Sequence, residues 1–125
     1  MIRKLIILIF IFSSLKTNLF AIEPDIFVQS TVNRASKLLS EDISKEEKIL
    51  RLKNIAKDTV DIKGIGFYTL GSIRKSLNQD QKEKYATIFE AYFLKSFSSR
   101  LAEYTNPEID VYDKEKLSEK YTIVN

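Results

Sequence analysis

From Gln79 to Tyr104 a ring or a leucine recurs every three or four residues: Tyr85, Phe89, Tyr92, Phe93, Phe97, Leu101 and Tyr104. That period is the signature of a helix with one apolar face. The rings predict a helix at the centre of the core, because aromatic side chains carry a large apolar area that must be covered. Asn78-Gln79-Asp80-Gln81 reads as a capping-box start for it, and Pro107 closes the segment. Any fold for this chain has to supply a cover for the aromatic stripe.

Two amphipathic helices precede it. Pro24 and Asp25 suit a first helical turn, and Val28, Val32, Ala35 and Leu39 then form one stripe. Ser44-Lys45-Glu46-Glu47 reads as a capping box for a second helix, with Ile49, Leu52, Ile55, Ala56 and Val60 on its apolar side. The mixed charges between these positions read as a solvated face.

The chain's three glycines all lie within Gly64-Ile65-Gly66-Phe67-Tyr68-Thr69-Leu70-Gly71. A dinucleotide fingerprint needs glycine where Thr69 stands and a strand before it. A P-loop needs lysine where Ser72 stands. The segment is also filled with large apolar residues, which a phosphate cradle excludes. It reads instead as a short apolar helix or turn whose glycines permit close packing and a stop at Gly71. On that reading Ile62, Ile65, Phe67, Leu70 and Ile73 point toward the aromatic helix, as closed core or as the wall of an apolar cavity.

After Pro107 the period changes. Glu108 to Asp113 alternates polar and apolar residues, which predicts a strand, and Tyr121 to Val124 predicts a second one, with the charged KEKLSEK stretch as the loop between them. Two strands are a marginal sheet on their own. The chain therefore reads as the N-terminal part of a longer protein, unstable or aggregation-prone alone.

Met1 to Ala21 reads as a cleaved secretory signal: Arg3 and Lys4, then the apolar run Leu5 to Phe12, broken by Lys16. The run is shorter than the roughly 20 residues a membrane span needs, so no stable membrane insertion is expected after cleavage. The signal carries three of the 20 basic residues, and its loss leaves 17 against 17 acidic ones. The net charge of +3 thus leaves with it, which argues against a nucleic-acid partner. Cysteine and histidine are absent. That removes disulfides, His-paired nucleophiles and the usual zinc ligands, and no cofactor is implied.

The stretch Asp61 to Tyr104 resembles the MlaC, or toluene-tolerance, family of periplasmic phospholipid-binding proteins of Gram-negative bacteria. Asp61-Ile62, Leu70-Gly71, Asp80-Gln81, Tyr85, Phe89, Leu94, Phe97, Leu101 and Tyr104 carry the resemblance. The signal, the leading helices and the strand from Ile109 follow the family order. Arg74 departs from it, standing where the family often has tryptophan. The chain also stops where family members continue into the rest of a sheet and closing helices. The resemblance implies an α+β fold, with N-terminal helices packed on a curved antiparallel sheet of which one or two strands are present here. Residues 22–125 would form the N-terminal part of a single phospholipid-binding domain.

The implied function is a non-enzymatic shuttle that moves phospholipid between outer and inner membranes and maintains outer-membrane lipid asymmetry. Its partners would be an outer-membrane lipoprotein associated with a porin and an inner-membrane ABC transporter complex. Apolar identity and shared facing make Ile65, Phe67, Leu70, Ile73, Phe89, Phe93 and Phe97 the candidate acyl-chain contacts. Arg74 and Lys75 read as surface charge or as phosphate contacts near a mouth. Two alternatives remain at this level. One is a secreted helical adaptor or chaperone that meets a protein through the aromatic face. The other is an enzyme using Asp58 with Asp61, or Glu90 with Lys95, as acid and base.

Overall fold

A computed structural model describes residues 21–125; the expected signal, Ala21 apart, lies outside the described residues. Four α-helices are followed by a small hairpin: α1 Pro24–Leu39, α2 Lys45–Thr59, α3 Ile62–Thr69, α4 Gln79–Leu101, β1 Lys114–Lys116 and β2 Thr122–Val124. A 3-10 turn, Gly71–Lys75, links α3 to α4. This is the expected α+β class, with helices and a short antiparallel sheet.

The helix starts follow their caps. The Ser44 hydroxyl accepts from the Glu47 amide at 3.1 Å. The Glu47 side chain does not close the expected box; its carboxylate accepts from Arg51 Nε at 2.7 Å instead. Charge pairing one turn along wins over the neutral amide. At α4 the box is complete: Asn78 Oδ1 accepts from the Gln81 amide at 2.9 Å, and Gln81 Oε1 from the Asn78 amide at 3.0 Å. The Lys48 ammonium donates to the Leu39 carbonyl at 2.7 Å, which satisfies an acceptor at the free end of α1.

α2 lies between α1 and α4 and packs on both, while α3 packs on α4. Two residues one turn apart on α2 anchor two apolar clusters. Leu52 meets Leu38, Leu39 and Ala102, and Ala56 meets Ile62 and Leu94. Ser98, fully buried on α4, donates its hydroxyl to the Leu94 carbonyl, so the core leaves no polar atom unpaired there.

Gly66 is buried on α3, and a β-carbon there would lie 2.8 Å from Phe89 Cδ1. The missing side chain lets α3 rest on the aromatic stripe of α4. Gly71 ends the segment with φ of +56°, a left-handed stop.

The tail corrects the expected strand order. Glu108 to Asp113 forms no strand, and β1 falls in the charged stretch expected as a loop. Lys114 pairs with Val124, Glu115 with Ile123 and Lys116 with Thr122. The alternation of Ile109 and Val111 comes instead from an extended segment that turns its apolar side chains toward α1. The first backbone bonds of the ladder are at Tyr112 and Asp113, both with Asn125.

Candidate functional site

Four rings run along α4. Tyr85, Phe89, Phe93 and Phe97 stack in series, with centroids 5.9, 6.2 and 5.5 Å apart. Their spacing of four residues places each ring over the turn before it. The Tyr85 hydroxyl is tied to the Thr69 hydroxyl at 2.8 Å, which joins the end of α3 to the start of the stack. Phe89 and Phe93 rest against the cluster of Ala56, Ile62 and Leu94. Phe97 stands further along and is 36% exposed.

Beyond Phe97 the packing opens into an apolar cleft. Its smaller hollow, about 260 Å³, lies between Val32 and Ala35 of α1, Ile55 and Val60 of α2, Phe97 and Leu101 of α4, and Ile109. A second hollow, about 400 Å³, continues past Leu39, Tyr104 and Pro107. Ala35, Leu101 and Ile109 line both. The linings are carbon-rich, and the combined space is in the range of small-molecule sites, roughly 300–1,000 Å³. Such a lining is chemically suited to hydrocarbon and gives water few partners.

The candidate contacts named from sequence divide. Phe97 lines the cleft. Phe89 and Phe93 line neither hollow; they stack in series with Phe97 and pack against Ala56, Ile62 and Leu94. Phe67 and Leu70 are half-buried, and Lys63 Nζ sits 5.7 Å from the Phe67 ring centroid. Ile65 and Ile73, expected to face α4, are 41% and 61% exposed. Ile65 sits one residue from Gly66, whose contact with Phe89 turns the isoleucine away. Ile73 lies on the 3-10 turn and is left largely to solvent there.

Sequence reading missed Thr31, Ile55 and Ile109 as lining residues. The stripes of α1 and α2 were legible, but a core stripe and a cavity wall have the same period.

The carboxylates weighed as catalysts have structural partners. Asp58 pairs with Arg34 at 3.4 Å, Asp61 Oδ1 accepts from the Gly64 amide at 2.9 Å, and Glu90 pairs with Lys57 at 3.2 Å. Away from the cleft's apolar floor, Lys114 Nζ lies 2.6 Å from Glu23 Oε2 and 2.7 Å from Asp25 Oδ1. The hydrogen bond from Lys114 holds the Asp25 carboxyl below its ordinary range, and the two carboxylates raise the lysine.

Comparison with known families is decisive: the model described as MlaC protein matches residues 29–125, from the second turn of α1 through the hairpin. The chain belongs to the MlaC family. Membership points to a periplasmic phospholipid-binding protein, part of a lipid-transport system and generally non-enzymatic. The match spans every element that lines the cleft. No curated protein and no solved structure matches this MlaC-family chain. Among the described residues, no helix is long and apolar enough to cross a membrane.

Proposed function

We propose that this chain carries a phospholipid through the periplasm between the outer and inner membranes, with acyl carbon in the cleft between α1, α2 and α4. The observation that carries the reading is the cleft's carbon-rich lining in a chain of this family. Each methylene taken from water contributes about 0.8 kcal/mol. A tail of several methylenes therefore binds firmly without a polar catalytic group. Phe97 serves as the α4 wall, with Phe93 and Phe89 stacked in series behind it. The partners on this reading are a lipoprotein–porin complex at the outer membrane and an ABC transporter complex at the inner one. A mature chain with balanced charge is not held electrostatically at either bilayer.

Native mass spectrometry of the mature chain, purified from the cell envelope, tests this. Bound phospholipid is expected, and it should be lost in Ala35→Trp, which puts an indole where the two hollows meet, with far-UV circular dichroism unchanged. A wild-type chain that stays lipid-free after incubation with phospholipid vesicles defeats the proposal. Capture of a polypeptide in place of lipid would point to an adaptor instead.

A further inference from the structure

The segment after α4 makes one side of the cleft. Thr105 and Asn106 reverse the chain, and Asn106 adopts φ of 53°, a left-handed conformation that asparagine tolerates. The chain then runs back along α1 toward that helix's N-terminus. Pro107 and Ile109 lie across the larger hollow from Ala35 and Leu39. Ile109 also faces Thr31 and Val32. Val111 and Tyr112 reach Ile26 and Gln29. Lys114 ends the run at Glu23 and Asp25.

Two observations separate this strap from the helices. Among the described residues, its backbone from Thr105 to Val111 makes no hydrogen bond to another backbone segment; the first comes at Tyr112. Its central apolar residue, Ile109, remains 46% exposed. Segments with unpaired, solvated backbone and little burial open at far lower cost than packed helices. One end of the strap is joined to α4. The other is fastened at the clasp, beside the contact of β2 with α1.

We infer that residues 105–113 are a releasable cover on the apolar cleft, fastened by Lys114 to Glu23 and Asp25. The inference rests on the phospholipid reading above and assigns control of that same site: tails pass in and out beneath the strap. The chemistry of the fastening suits repeated opening. Exposed ion pairs exchange readily with water and add little net stability. A cover sealed by fully buried side chains would open only with the core.

The test uses the whole mature chain and two measurements. One is the rate of cleavage within the strap, after Glu108, by a glutamate-specific protease. The other is transfer of a pyrene-labelled phosphatidylglycerol from vesicles of phosphatidylethanolamine and phosphatidylglycerol. Lys114→Gln should raise strap cleavage and lipid transfer about threefold to fivefold, the weight of an exposed ion pair, while α2 and α4 stay uncleaved. The chain contains no cysteine. Asp25→Cys with Lys114→Cys can therefore be bridged selectively by a short bis-maleimide, and the bridge should slow both readouts below wild type. Reversing all three charges, with Lys114→Glu, Glu23→Lys and Asp25→Lys, should restore wild-type rates. Strap cleavage unchanged in Lys114→Gln, or transfer unchanged in the bridged form, overturns the inference. Wild-type chain that takes up no lipid sinks the binding reading and the gate with it; uptake indifferent to the clasp sinks the gate alone.

Discussion

Gly66→Ala sets two effects of known size against each other. In a helix interior the change gains about 1 kcal/mol from backbone propensity alone. Against this, the new methyl would lie 2.8 Å from Phe89 Cδ1 and 3.0 Å from Cγ, where carbon contacts normally sit at about 3.5–4.0 Å. Cγ is at the root of the ring, so no flexible tip can swing aside. Moving the ring disturbs its stacking on Tyr85 and Phe93, 5.9 and 6.2 Å away. Overpacking of this kind costs about 1–3 kcal/mol, and the rigid neighbour places it in the upper part of that range. The expected net loss is about 1–2 kcal/mol. Urea unfolding followed by circular dichroism measures it, with the slope m unchanged. Phe89→Ala removes the offending atoms, so a double-mutant cycle should show a favourable coupling of about 1 kcal/mol. If Gly66→Ala instead stabilises the chain by the propensity increment, α3 does not rest on the ring and the account of α3–α4 packing is wrong.

Three further outcomes follow from the packing, the caps and the clasp. Leu52→Ala, at the meeting point of α1, α2 and the end of α4, should cost about 2–5 kcal/mol in urea unfolding, since Leu52 is 1% exposed. Asn78→Ala removes one half of the complete capping box and should cost about 0.5–2 kcal/mol, with exchange rising first at the N-terminal turn of α4. The clasp should loosen at both ends of the pH scale. Asp25 has a carboxyl pKa lowered from 3.8, so its contribution is present above that value and fades as pH falls through the lowered one. Lys114 is raised from 10.5, so its contribution is present below that value and fades as pH rises past it. The chemical shifts of the Ile109 methyl groups, which report the strap's position on the cleft, should be flat between these limits.

The helices were legible because each carries its boundaries in the chain: Pro24, Ser44 and Asn78 at starts, Gly71 and Pro107 at stops. Their apolar stripes then fixed which faces meet. The tail was less legible for a physical reason. Alternating Ile109 and Val111 fits any extended segment with one covered side, whether the cover is a sheet or a helix. β1 has no such alternation, because all three of its side chains are exposed, and only its pairing with β2 defines it. At the site, the α4 rings could be named from their period. Ile65 and Ile73 could not be placed, because the turn of α3 depends on the contact between Gly66 and Phe89. Ile109 lines the cleft from a segment whose alternation fits a strand equally well, so only the folded arrangement shows it.

The Lys114 clasp joins residues 91 and 89 positions apart in the chain. Ribosomes deliver the amino end first. α1, α2 and α4 can therefore gather while Glu23 and Asp25 still wait for a counter-charge that follows them by 91 and 89 positions. The fastening comes after the helices it spans, and a nascent chain passes through a stage with its greasy interior unshuttered.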